Sequence, residues 1–189
     1  MLFLADKIKS TEKAAFQAEV IQMGDDLGFD PNWLMIVMFL ESGLNPQAIN
    51  NTTGASGLIQ FMPNTAKNLG TSVEELRQMS AVDQLEYVRV YLSAYKGKFN
   101  TLADLYLTVF YPAAVGKSND YVLGSSSTNA AKIAAQNKIF DTNKDGIITK
   151  GEIVDYMNNY AKRLGFIEKA KKYSFIPAIL LLVVFISKI

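Results

Sequence analysis

The feature that most restricts this chain is an unbroken apolar run that ends in an acid. Residues 33–40, Trp-Leu-Met-Ile-Val-Met-Phe-Leu, carry no charged or hydrogen-bonding group except the indole, and Glu41 comes directly after them. Upstream, Asp30-Pro31-Asn32 has the form of a helix start, with Asp30 placed to cap and Pro31 at the first helical position. Downstream, Gly43 and Pro46 stop the helix. A helix that is apolar all round is buried on nearly all sides, so other elements must cover it. Its terminal carboxylate then faces a polar, glycine-containing stretch from an apolar seat. Such surroundings disfavour the charged form, raise the pKa and let the group hold a proton near neutral pH, which is the requirement for a general acid.

The next residues carry a specific pattern. Glu41-Ser42-Gly43 is succeeded, after a short gap rich in Asn, Thr and Gly, by Gly54-Ala55-Ser56-Gly57-Leu58-Ile59-Gln60-Phe61-Met62-Pro63-Asn64-Thr65-Ala66. In order, spacing and residue type this resembles the signature of the soluble-lytic-transglycosylase type of peptidoglycan-cleaving enzyme, and the resemblance runs, weakening, to about Tyr121. It implies a mainly α, lysozyme-like fold and cleavage of glycan between N-acetylmuramic acid (MurNAc) and N-acetylglucosamine (GlcNAc). It also implies that Glu41 is the acid/base, that Ser56 and Gln60 approach the sugar, and that Tyr121 points its hydroxyl at the catalytic centre. Where the family often has Ala-Tyr-Asn-Ala-Gly, this chain has Val109-Phe110-Tyr111-Pro112-Ala113-Ala114. Tyr111 therefore reads either as a sugar contact or as a packed aromatic.

Composition narrows the chemistry independently of the resemblance. The chain has no histidine and no cysteine, which removes Ser-His-Asp triads, thiol nucleophiles and His-rich zinc sites. Carboxylate glycosidase chemistry is almost all that is left for an attack on a cell wall. A net charge of +1 offers no bulk field for nucleic acid. The first residues, Met1 to Lys7, are too short and too soon charged for a secretory signal.

Periodicity and caps predict further helices. One begins at Thr11, with Ala14, Phe16, Val20, Ile21 and Leu27 as its apolar positions and Gly28 as its end. Pro63 opens a short helix that Gly70 ends. Capping-box spacings recur at Thr71 to Glu74, Ser72 to Glu75, Ser80 to Asp83 and Thr101 to Asp104. The helix from Ser80 should turn Leu85, Val88, Val90, Tyr91 and Leu92 inward. Glu74, Glu75 and Asp83 read as exposed first-turn acids that complement helix dipoles. The run 124–129, Gly-Ser-Ser-Ser-Thr-Asn, reads as a linker by composition. The domain reading is accordingly 1–124 for a catalytic domain, 125–165 for a linker and a single EF-hand, and 166–189 for a basic flank and a hydrophobic C-terminal anchor.

The EF-hand expectation rests on residues 141–152, which fit the twelve-residue calcium loop. Asp141, Asn143 and Asp145 supply side-chain oxygens, Gly146 makes the turn, and Ile147 offers its carbonyl. Thr149 contributes a hydroxyl or a bridging water, and Glu152 a bidentate carboxylate. A lone loop of this kind reads as a structural Ca2+ clip rather than a sensor.

Residues 173–187 are uncharged and mostly Ile, Leu, Val and Phe. As a helix they would span about 22 Å, short of a ~30 Å hydrocarbon core, with Lys169, Lys171, Lys172 and Lys188 placed to snorkel. A minimal membrane anchor, an interfacial or oligomerising helix, and a helix packed on the body are the three readings. The lysines favour a body on the cytoplasmic side. An enzyme carried in a membrane-containing virion to a new host's wall reconciles that side with a wall substrate; a prophage-encoded or inner-membrane lytic protein is the plainer arrangement. The expected partners are glycan strands, a lipid bilayer and other virion proteins. Two rival functions stand beside the transglycosylase: a hydrolytic lysozyme that uses Asp104, Asp120 or another acid to activate water, and a non-catalytic, membrane-anchored wall-binding or virion structural protein.

Overall fold

The computed structural model describes residues 1–9 and 11–166; the hydrophobic tail lies outside the described residues. Among the described residues the regular structure is helical, interrupted only by isolated antiparallel bridges. No helix among them is long and apolar enough to cross a membrane.

The apolar run forms α2 (Pro31–Ser42) and sits at the centre. Asp30 accepts a hydrogen bond from the Asn32 amide at 2.9 Å and caps it, Pro31 opens it, and Gly43 ends it in the left-handed region at φ 62°. Residues 33–38 are all buried. α1 (Lys13–Leu27) packs on α2 through Phe16, Val20, Met23 and Leu27. Ile21, expected inward, is exposed, because it falls on the outer face between the stripe positions Val20 and Met23. α3 (Pro63–Asn68) and the single-turn α4 (Val73–Leu76) connect to α5 (Ala81–Ser93), which lies against α1. The box that forms at α4 is Ser72 with Glu75, and Thr71 joins it by donating to the same carboxylate. Val90, also expected inward, is exposed: a helix cannot turn 88, 90, 91 and 92 to one side at once.

α6 (Leu102–Phe110) is capped by the Thr101–Asp104 box and crosses α2, while Pro112 stops it. The chain beyond it does not form a separate unit. The expected linker is folded structure: Ser126 caps α7 (Ser127–Gln136), and Gly124, at φ 125°, runs so close to α7 that a Cβ would lie 2.7 Å from the Ala130 amide nitrogen. α8 (Lys150–Arg163) begins at the Thr149 cap and packs on α6. Leu123, Ala134, Phe140, Ile148, Ile153 and Met157 are buried in the same core as α2 and α6. Lys150 forms a buried ion pair with Asp104 at 3.0 Å.

Candidate active site

Glu41 occupies the last turn of α2, one residue before Ser42, whose hydroxyl lies 2.9 Å from both the Met38 and Leu58 carbonyl oxygens. The first contact is within the helix; the second fastens the helix end to the motif loop. The Glu41 carboxyl has no hydrogen-bond partner among the described residues, and burial alone pushes its pKa up to about 7. It opens into a cleft of about 400 Å3. One side is the motif loop, through Asn50, Thr53, Ala55, Gln60 and Met62. A second side is α6, through Tyr106, Val109 and Phe110, and a third is the end of α7, through Asn137 and Phe140. Among the described residues Glu41 is the one carboxylate in this lining.

The motif loop has a defined internal order. Ser56 and Phe61 exchange backbone hydrogen bonds at 3.0 and 2.8 Å, which closes a tight turn over residues 57–60. Gln60 stands in the left-handed region at φ 53°, where side chains are rarely found. Its Nε2 donates to the Gly57 carbonyl at 3.1 Å and holds the side chain back over the turn at the cleft edge. Gly57, at φ 82°, admits the Gln84 side chain so closely that a Cβ would come within 2.6 Å of its Oε1. Gln84 is fully buried. Its Oε1 accepts from the Leu58 amide at 3.0 Å, and its Nε2 donates to the Pro46 and Leu76 carbonyls at 2.6 Å each. One side chain on α5 thus ties the turn of the loop that faces Glu41 to Pro46 ahead of it and to Leu76 of α4.

Of the residues predicted from sequence, Glu41 and Gln60 meet at the cleft. Ser56 is fully buried beneath it: its hydroxyl accepts from Arg77 at 2.9 Å and donates to the Gly54 carbonyl at 3.2 Å. Tyr111 comes after the last turn of α6, at the break that Pro112 imposes, and packs partly buried against the core, outside the cleft lining. Tyr121 is also outside the lining. Its carbonyl accepts from the Lys150 amide at 2.8 Å, and Lys117 approaches its ring at 5.8 Å. Of the acids considered for activating water, Asp104 is buried with Lys150 and Thr101, and the exposed Asp120 accepts from the Ser118 hydroxyl. Sequence reasoning missed Tyr106, Asn137 and Phe140 at the cleft, and Gln84 and Arg77 behind it.

The proposed calcium loop closes on itself. Asp141 accepts from the amides of Asp145 and Gly146, Asn143 from Asp145, and Asp145 from Ile147. Gly146 takes φ 84°. Burial opposes ionisation of Glu152, but hydrogen bonds from Thr149, Asn143 and Thr142 outweigh it and hold the carboxyl below the ordinary glutamate range. The carboxylates face the loop's own amides, and among the described residues no three Asp, Glu, His or Cys side chains gather as a preformed metal cluster. The loop's outer edge pairs with the segment before it: the Leu123 amide donates to the Ile148 carbonyl at 2.8 Å, within an antiparallel bridge between Val122 and Thr149.

A helical fold in which a glutamate at the end of an apolar helix faces a glycine-bent loop is consistent with a lysozyme-like domain. Residues 19–109 match the family described as the Transglycosylase SLT domain, which supports an SLT-like reading of that segment. Members of the family are lytic transglycosylases that act on peptidoglycan.

Proposed function

We propose that this chain is a lytic transglycosylase that cuts the MurNAc-β-1,4-GlcNAc bond with Glu41 as its single acid/base and leaves a 1,6-anhydro-MurNAc end. The observation that carries the proposal is a buried carboxyl with a pKa near 7, without a hydrogen-bond partner, in a cleft whose described lining holds no second carboxylate.

In the first step protonated Glu41 gives its proton to the glycosidic oxygen, the C1–O bond breaks, and positive charge develops on the muramic ring. Hydrolytic glycosidases meet that charge with a second carboxylate, either as nucleophile or as base for water. Here the Glu41 carboxylate takes the proton of the sugar's own 6-hydroxyl as that oxygen closes on C1. The proton lost to the leaving GlcNAc is restored to Glu41, and no water is consumed. Gln60, held by its bond to Gly57, lines the path of the sugar. Mass spectrometry of muropeptides released from purified peptidoglycan tests the proposal. Anhydro-muramic ends, absent with Glu41→Gln, are expected. Reducing muramic ends would overturn it in favour of a lysozyme, and no release from several wall types by folded protein would favour a binding role.

We infer also that residues 141–152 take Ca2+ as a structural ion, through Asp141, Asn143, Asp145, the Ile147 carbonyl, Thr149 and Glu152. Support comes from an all-oxygen donor set in register with a hard cation's needs and from the left-handed Gly146 at the turn. Binding would draw Asp145 and Glu152 away from the loop amides. Titration calorimetry with Ca2+ should register one site that Asp141→Ala removes; no heat at millimolar Ca2+ would discard it. The tail at 173–187 and its lysine flank support membrane attachment and carriage in a membrane-containing virion. Recovery of native protein from the exterior of uninfected cells would discard that placement.

A further inference from the structure

We propose that Asn137 and Phe140, which lie outside the family segment, form a saccharide subsite of the Glu41 cleft, in which the Asn137 side-chain oxygen accepts from the acetamido N–H of an N-acetylated sugar. The inference rests on the peptidoglycan reading of the same cleft and adds a specificity residue to it.

The cleft has three sides, and the family segment, which ends at residue 109, accounts for fewer than all of them. The third side comes from a turn that closes α7. The Phe140 amide donates to the Asn137 carbonyl at 2.9 Å, so the two residues are set in one short, hydrogen-bonded unit. Phe140 is 5% exposed and fixed by rings on three sides: Phe110 at 4.9 Å, Tyr156 at 4.7 Å and Tyr106 at 6.0 Å. Tyr106 and Phe110 belong to α6 and also line the cleft, so this wall is built onto α6 and not merely adjacent to it.

Asn137 is half-buried, and its Nδ2 donates to the Ile133 carbonyl at 2.9 Å. Only the nitrogen can donate to a carbonyl, so this bond fixes which way the amide faces. Oδ1 is left as an acceptor without a partner among the described residues. A pre-oriented acceptor in the same cleft wall as an apolar ring suits a 2-acetamido group, which presents an N–H next to a methyl. The feature discriminates: a sugar with a free amine at C2, protonated and without the methyl, is a poorer match to this wall than its acetylated form.

The test compares wild type with Asn137→Ala on soluble glycan strands, N-acetylated and chemically de-N-acetylated, and reads kcat and KM separately. One hydrogen bond to the substrate is expected to raise KM about tenfold on the acetylated strand with kcat little changed, and to shrink the preference for acetylated glycan by a similar factor. In a Glu41→Gln background, N-acetylglucosamine oligomers should shift the Asn137 side-chain amide resonance, a readout that does not depend on turnover. If wild type cleaves and Asn137→Ala keeps the same KM and the same preference, or if the resonance does not move while the oligomer binds, the subsite is wrong and the enzyme reading stands. If wild type releases nothing and Glu41→Gln binds no glycan, the enzyme reading fails and the subsite falls with it.

Discussion

Glu41 is held by what does not touch it. Its pKa rises through desolvation, without a neighbouring anion, so the effect belongs to its burial at the end of α2, in a cleft walled by Met62, Tyr106, Val109, Phe110 and Phe140. This has two consequences for pH. On the proposed mechanism bond cleavage needs the protonated acid, so kcat/KM should be level on the acid side of about pH 7 and fall about tenfold per unit above it. Stability should move the same way. Between pH 4.5 and about 7 the folded chain binds a proton at Glu41 that the unfolded chain has lost, so raising pH through this window destabilises the fold. The shift corresponds to roughly 3 kcal/mol at full ionisation. Glu41→Gln removes it, so thermal melts should show the variant gaining on wild type from pH 4.5 to 7 and holding a constant lead above that.

At the scale of the element, the motif loop owes its shape to a distant clamp. Gln84→Leu keeps the bulk but leaves the Leu58 amide and the Pro46 and Leu76 carbonyls without their partner, at a cost of about 2–4 kcal/mol in denaturant unfolding. Activity should fall further than the loss of folded protein accounts for, because the loop that faces Glu41 is released; full specific activity in the folded fraction would refute the clamp. Much of the fold was legible because its signals are local. Asp30 and Pro31, Ser80 and Asp83, Thr101 and Asp104 fix helix starts within four residues of themselves, and the acid after an apolar helix fixed the site's centre. Gln84 carried no such signal: it meets Leu58 across 26 positions, and Arg77 meets Ser56 across 21. Asn137 and Phe140 were hidden for another reason. A serine-rich run reads as a linker until the glycine within it is found wedged against the next helix, and only then does the turn after that helix become a wall of the cleft.

For the whole molecule, the Asp104–Lys150 pair is the most demanding contact between α6 and α8. Both groups are buried, and each neutralises the other where water cannot. Lys150→Met alone strands the carboxylate and should cost about 3–5 kcal/mol, whereas Lys150→Met with Asp104→Asn should recover a good part of it; equal losses in the single and double variants would mean the pair contributes through packing alone.

The bridge between Val122 and Thr149 means that the chain is stitched to itself on both sides of the serine run, by backbone hydrogen bonds and by a shared core. The covalent link through residues 124–129 is then one tie among several. Cutting it with a protease site engineered after Ser125 should leave two pieces that stay together through gel filtration, and the same pieces expressed separately should find each other and match the uncut chain in its action on peptidoglycan.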